Sequence, residues 1–459
     1  MRTTSPDPTA LLAAGAARSA RALAAREVNA AELCEAAIAR IEALDGALNA
    51  VVVRDFDRAR CQAADADAAL ARGERRPLLG VPMSVKEAFN VAGLPTTWGL
   101  PPFRDFVPPQ DAVAVQRLKA AGAVILGKTN VPPGLADWQC DNPVYGRTVH
   151  PLDPSRTPGG SSGGGAVAVA TGMVALELGS DLTGSLRVPA SFCGVYAHKP
   201  SEGLLPTRGF AFPGTEEAPA GLPSVIGPIG HCAEDLLLAL EVLAGPDAAH
   251  GAKACFALPA PRQTDAKDWR VLVVTAHPQA AVAAEVRAAV EGAGRRLAKA
   301  GALVAEASDL LPDLGEIGST YDQIVQTLLA HVEPGGRLPM SLHAWFDLLA
   351  TRTRIRAQLR ALFTQFDAVL CPAVGCAAFE HVAEADFSKR ILTIDGVATP
   401  YDALGAWAAL ASLGGLPATV APAGFTKDGL PLGVQIVGPY FEDRSTIALA
   451  RLLTEDSSV

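Results

Sequence analysis

Between Pro158 and Arg187 two Gly/Ser clusters stand close together. The first reads Pro158-Gly159-Gly160-Ser161-Ser162-Gly163-Gly164-Gly165, and the second Gly179-Ser180-Asp181-Leu182-Thr183-Gly184-Ser185-Leu186-Arg187. The run between them, Ala166 to Leu178, is apolar nearly all round and has no helix breaker except Gly172. That pattern predicts one short buried helix bracketed by the clusters. Glycine lets backbone N–H groups approach a ligand closely. The N–H groups at a helix N-terminus have no partner of their own and favour negative charge. Each cluster therefore sets a hydroxyl beside free amide donors, which is what acyl transfer needs.

A serine nucleophile also needs a base, and no histidine lies between His150 and His198. A lysine upstream fits the role. Gly80-Val81-Pro82-Met83-Ser84-Val85-Lys86-Glu87 reads as a short buried strand, Val81 to Val85, with Lys86 at its end. Burial disfavours the charged amine and lowers its pKa from the ordinary value of about 10.4. A neutral amine at pH 7 can take a proton.

Gly-Gly-Ser-Ser-Gly-Gly, then Asp-x-x-Gly-Ser-x-Arg, with Val-Pro-x-x-Val-Lys upstream, resembles the amidase signature family. The likeness extends to Gly127-Lys128-Thr129-Asn130, Asn142-Pro143-Val144-Tyr145-Gly146, Cys193-Gly194, Lys199-Pro200, Gly227-Pro228-Ile229 and Gly429-Leu430-Pro431-Leu432-Gly433-Val434-Gln435. It thus spans about Ala31 to Gly438. The resemblance implies a Ser-Ser-Lys triad: Ser185 as nucleophile, Ser161 as the serine that follows a cis peptide bond, and Lys86 as base. The step of 24 residues from Ser161 to Ser185 fits. It also implies an oxyanion hole from the amides of Leu182, Thr183, Gly184 and Ser185. One departure stands out: Thr183-Gly184 occupies the place of the family's usual Gly-Gly. Thr183 keeps its N–H, but its side chain narrows the oxyanion site.

Composition bounds the partners. A net charge of −9 and a pI near 5.5 give no electrostatic footprint for nucleic acid. The long uncharged stretches Thr157–Leu176 and Ala403–Thr426 are interrupted by Gly or Pro, so neither reads as a membrane span. The eight cysteines lack a disulfide-framework spacing and read as reduced thiols of a cytoplasmic protein. No His/Cys/carboxylate set has metal-ligand spacing, and no cofactor is expected. The apolar segment from Leu11 to Ala17 reads as a helix rather than a signal peptide, because Asp7 precedes a weak Ala/Gly core.

The pattern along the chain alternates helix and strand. Asn29-x-x-Glu32 is a capping box opening a helix from Ala30 to Leu44. Val51–Val53 is a strand, Phe56–Arg72 a helix, Leu78–Val85 the strand that delivers Lys86, Asp111–Ala121 a helix and Ala123–Leu126 a strand. Gly122-x-x-x-x-Gly127-Lys128-Thr129 has P-loop spacing, but its four intervening residues form that strand and Asn130-Val131-Pro132 opens no helix. Further on, Cys232–Leu243 and Ala281–Ala300 are helices, and Tyr321–Phe363 is mainly helical. Arg270–Thr275, Val304–Ala307, Asp367–Cys371, Ala418–Ala421 and Leu432–Val437 are strands. The prediction is a single-domain α/β/α sandwich around a large mixed twisted sheet over residues 1–459. Its parts are N-terminal helices at about 9–72, a signature core at about 78–245 and a variable substrate-side segment at about 310–400.

Ser162 reads either as a hydrogen-bonding support of the cluster or as a simple helix N-cap. Asp181 and Arg187 read as an ion pair bracing the loop. Trp138, Tyr145, Phe210 and Phe212 sit in loops placed to line a substrate pocket, and Glu216 and Glu217 would repel an anionic ligand at its mouth. These features predict an amidohydrolase for a neutral, aryl-bearing or small aliphatic amide, extending to esters and carbamates, acting as monomer or homodimer. Two alternatives stay open: the glutaminase subunit of a tRNA amidotransferase, which needs partner chains, and a catalytically silent binding member of the family.

Overall fold

Eleven strands form one mixed sheet among the described residues of a computed structural model. The structure describes residues 6–215, 217, 223–247, 249, 257–332 and 340–455. In chain order the strands are β1 (Val51–Arg54), β2 (Pro82–Lys86), β3 (Val124–Thr129), β4 (Leu176–Asp181), β5 (Tyr196–Lys199), β6 (Val225–Gly230), β7 (Arg270–Val273), β8 (Leu303–Ala305), β9 (Ala368–Pro372), β10 (Ala418–Phe425) and β11 (Pro431–Val437). Across the sheet they run β1-β3-β2-β4-β6-β5-β10-β11-β9-β7-β8. β2 is parallel to both β3 and β4, and β4 is antiparallel to β6.

Period-2 burial shows why helices cover both faces. Val271, Val273, Ala368, Leu370 and Ile436 pack into one core with the helices Ala284–Lys299 and Asp443–Glu455. Their alternates Leu272, Val274, Val369, Cys371 and Val437 pack into a second core with the helices Leu314–Val332, Leu342–Gln365 and Ala406–Gly414. Strands apolar on both faces must be covered twice, and the predicted α/β/α arrangement follows. At the N-terminus, helices Pro8–Ala13 and Ala16–Ala25 bury Leu11, Leu12 and Leu23. Asn29 and Glu32 form the predicted capping box of the helix Ala30–Leu48. Among the described residues no helix is long and apolar enough to cross a membrane.

One predicted element is corrected. The apolar run after the first Gly/Ser cluster is not a single helix to Leu178. A helix spans Gly163–Ala170, Gly172 turns the chain at φ +67°, and the strand β4 begins at Leu176. Positive φ suits glycine and ends the helix. A fully buried apolar run carries no periodicity, so a helix and a central strand look alike in sequence. The rejection of a P-loop holds, since Val124–Thr129 is strand.

Candidate active site

The two Gly/Ser clusters meet because helix Gly163–Ala170 packs on β4, the next element along the chain. Lys86 ends β2, the strand beside β4. Both Ser161 and Lys86 are buried, and Ser185 retains 6% of its surface. Lys86 Nζ lies 2.6 Å from Ser161 Oγ, 3.0 Å from Ser162 Oγ and 3.0 Å from Ser180 Oγ. Ser162 donates to the Ser180 carbonyl at 3.2 Å and makes no side-chain cap bond, so it supports the cluster rather than capping the helix. The Gly160–Ser161 peptide is cis, as the resemblance implies. The Ser162 N–H donates to the Ser185 carbonyl at 3.1 Å and ties the two serine clusters together.

Burial pushes the Lys86 pKa down to about 7, against the opposing pull of nearby acidic groups. A neutral amine has two N–H donors and one lone pair, so it cannot donate to three hydroxyls. One hydroxyl must turn and donate to the nitrogen. Ser161 is the nearest, and Ser162 already directs its proton to Ser180.

The loop after β4 is oriented peptide by peptide. The Leu182 carbonyl accepts from Tyr321 Oη at 2.5 Å and Ser412 Oγ at 3.0 Å. The Thr183 carbonyl accepts from Trp138 Nε1 at 3.1 Å. The Gly184 carbonyl accepts from the Val188 N–H at 2.7 Å. In a trans peptide the N–H points opposite to the C=O, so these contacts aim the amides of Thr183, Gly184 and Ser185. The Gly184 N–H is engaged by Asp181 Oδ1 at 2.9 Å. This corrects the expectation that it serves as an oxyanion donor. The amides of Leu182, Thr183 and Ser185 have no partner among the described residues and are left as the candidates.

Asp181 and Arg187 form the expected ion pair, at 2.7 Å with both side chains fully buried. Burial alone would raise the Asp181 pKa, but the guanidinium outweighs it and holds the carboxyl at about 2. Asp181 also accepts from the Leu186 N–H at 3.0 Å, and Arg187 reaches Gln435 at 2.7 Å and Ser412 at 2.9 Å. The pair is a brace, with every charge internally satisfied.

The aromatic residues divide. Trp138 stands at the loop through its bond to Thr183, and its ring packs edge-on against Tyr401. Phe210 and Phe212 join Phe89, Trp98 and Phe103 in a separate aromatic cluster. Tyr145 Oη donates to Glu87 Oε1 at 3.0 Å. Glu217 is exposed, and Glu216 lies outside the described residues.

Sequence reasoning missed Ser180, Ser412 and Glu177. Glu177 is fully buried on β4, where Ser84 and Thr129 donate to its carboxyl at 2.5 and 2.6 Å. It fills the space beside Gly165, where an added Cβ would stand 2.6 Å from Glu177 Cγ and Oε1. A charge inside an apolar run was a signal available in sequence. No group of three or more His, Cys, Asp or Glu among the described residues could hold a metal ion.

The amidase family model matches residues 32–332 and 335–447. A glutamyl-tRNA(Gln) amidotransferase subunit from Koribacter versatilis (strain Ellin345) is 32% identical over 473 residues, covering 94% of this chain and 95% of that protein. Among solved structures, one similar chain comes from a vestigial protein complex tied to the evolutionary origins of an s-triazine catabolic enzyme. It superposes with TM-score 0.85 at 30% identity, covering 97% of this chain and 99% of that one. A bacterial aryl acylamidase of the amidase signature enzymes superposes with TM-score 0.79 at 26% identity, covering 97% and 96%. Together with the mixed sheet and the serine clusters, the match along nearly the whole chain shows that this protein belongs to the amidase signature family of hydrolases.

Proposed function

We propose that this protein cleaves the acyl C–N bond of a neutral, aryl-bearing or small aliphatic amide, and the related bond of an ester or carbamate, through a Ser185 acyl-enzyme. The observation that carries the mechanism is the 2.6 Å contact from Lys86 to Ser161, in a cluster bonded to Ser185. Neutral Lys86 takes the proton of Ser161, and Ser161 takes that of Ser185. Ser185 attacks the carbonyl, and the amides of Leu182, Thr183 and Ser185 receive the oxyanion. The relay runs backward to protonate the leaving amine. Water then clears the acyl-enzyme by the same route.

The substrate class rests on the loop's surroundings. Trp138 offers an aromatic wall beside Thr183. The buried cations are committed internally: Arg187 to Asp181, Lys128 to Thr96 at 2.8 Å and Lys199 to the Pro200 carbonyl at 3.0 Å. That arrangement favours a neutral ligand over an anionic amino acid. Thr183 adds bulk beside the oxyanion position and favours small acyl or alkoxycarbonyl groups. The likeness to an aryl acylamidase supports the same class. A second reading, the glutaminase component of a tRNA amidotransferase, is favoured by the likeness to the Koribacter protein. Measuring kcat/KM for glutamine, a short aliphatic amide, a nitroanilide and an N-aryl carbamate decides between them. A preference for glutamine of about tenfold or more (~1.4 kcal/mol) overturns the neutral-substrate reading. Size-exclusion chromatography adds a second test, because a free-standing hydrolase runs as monomer or homodimer without partner chains.

A further inference from the structure

We propose that Glu177 is the counter-charge of Lys86, a positioning residue whose carboxylate stabilises the lysine each time it holds the proton taken from the serines. The inference rests on the reading of Lys86 as the base.

Strand register sets the two residues on neighbouring strands, with Glu177 opposite the residue two positions before Lys86. Ser84 on β2 is the register partner of Glu177 on β4, and Lys86 is the partner of Thr129 on β3. Ser84 and Thr129 are also the two residues that hold the Glu177 carboxyl, one on each oxygen. The hydroxyls that fix the carboxyl thus come from the lysine's own strand, two residues before it, and from its cross-strand partner. The bonds, at 2.5 and 2.6 Å, fall in the range of hydroxyl-to-carboxylate contacts. Glu177 spans these two donors like a strap across the neighbouring strands, with no water-facing surface.

The acidic groups whose charge, when ionised, would raise the Lys86 pKa are Cys140, Asp181 and Glu177. They differ in what they can give. Burial pushes the Cys140 thiol up to about 12, so at neutral pH it carries no charge. Asp181 is bound through both oxygens by Arg187, and its charge is neutralised there. Glu177 is held by neutral hydroxyls and keeps its charge when ionised. Burial raises its pKa to about 7, against the pull of Ser84, Thr129 and Lys86. Lys86 and Glu177 therefore both titrate near neutrality. In the acylation step the proton passes from Ser185 to Ser161 and from Ser161 to Lys86. Glu177 takes no proton; it offsets the positive charge that appears on the lysine in a site closed to water, where an unpaired charge is costly.

The test is Glu177→Gln, with the pH dependence of kcat/KM and the thermal midpoint measured beside wild type. Glutamine keeps the volume; its oxygen accepts from Ser84, and its amide donates to the Thr129 hydroxyl. Loss of the negative charge lowers the lysine pKa, so the acid limb should move to lower pH by about half a unit or more. The plateau rate should fall about tenfold or more, as expected when charge stabilisation is removed. Ser84→Ala removes one donor, makes the carboxylate harder to ionise, and should shift the limb the same way by less. It carries the test if Glu177→Gln does not fold. A thermal midpoint that falls while the acid limb stays within about 0.2 unit would overturn the inference and leave Glu177 a packing residue. Lys86→Met, run alongside, separates this from failure of the underlying reading: an active Lys86→Met enzyme would remove the lysine itself from the chemistry.

Discussion

Tyr321 Oη donates to the carbonyl of Leu182 at 2.5 Å, from the helix Leu314–Val332 across to the loop that carries Ser185. The same peptide plane carries the Thr183 N–H on its far side, so a side chain on one helix aims a candidate oxyanion donor. Burial raises the Tyr321 pKa far above its ordinary range, so the phenol stays protonated and can donate. Tyr321→Phe should lower kcat by about tenfold or more with KM little changed, because the donor matters most when negative charge develops. Ser412 keeps a second hydrogen bond to the same carbonyl, which should hold the loss below that of removing a donor outright. Steady-state kinetics on one amide substrate checks this, and an equal rise in KM would contradict it.

Ser185→Ala should abolish turnover and labelling by a serine-directed fluorophosphonate. Lys86→Ala and Ser161→Ala should each cost about 10²–10⁴ in kcat. The double variant should cost little more than either single one, since the residues act as one relay. Additive losses in the double variant would mean that the two groups serve separate steps.

The rate should fall as pH drops through about 7. The proposed base is neutral Lys86, whose pKa in the folded protein is lowered to about 7 by burial. Above that value the neutral form predominates, and below it activity should decline about tenfold per unit. A kcat/KM profile that stays flat well below pH 6 would show that Lys86 is not the base.

Asp181→Asn should destabilise the protein by about 3–5 kcal/mol, because it leaves the fully buried Arg187 without its counter-charge. The Gly184 N–H would lose its charged acceptor as well, loosening the loop. Urea denaturation measures the first effect, and kcat the second. A change below about 1 kcal/mol, the range of exposed pairs, would mean that water reaches the pair.

Thr183→Gly should widen the acyl range. It removes a side chain beside the candidate oxyanion donors while keeping the amide. kcat/KM should rise for bulky acyl groups relative to acetyl, by about 10-fold or more if the side chain clashes with the longer chain. Parallel assays of acetyl and benzoyl anilides check this.

The parts of this molecule that were legible in sequence are those where local chemistry and fold agree. Ser161, Ser185 and Lys86 sit in short motifs whose glycines and hydroxyls draw attention to them, and a strand does end at Lys86, although it begins at Pro82 rather than at the Leu78 read from sequence. The capping box at Asn29 and Glu32 is likewise local. The rest depends on residues far apart in the chain. Tyr321 and Ser412 reach Leu182 from 139 and 230 positions away, and nothing in their own neighbourhoods marks that contact. The family resemblance implied Gly184 as a donor, yet Asp181, three residues earlier, takes its N–H. The helix ending at Ala170 and the strand from Leu176 share one apolar run, and burial on all sides erased the periodicity that separates them. The hairpin Ile391–Ile394 and Val397–Pro400 went unread as well, although Asp395-Gly396 between two apolar stretches is a turn signal.

Gly165 and Glu177 occupy one volume between them, the helix giving no side chain and the strand filling the gap. As far as packing alone decides, in a library selected for folding rather than activity, such positions can change only as a pair. A library randomised at 165 alone should return glycine, since any added carbon meets the carboxyl stem at 2.6 Å. Randomising both should return larger residues at 165 only where 177 has shrunk to alanine or glycine. The ledger of permitted substitutions in this core is thus written in two columns, and reading either one by itself would mistake a shared constraint for two independent ones.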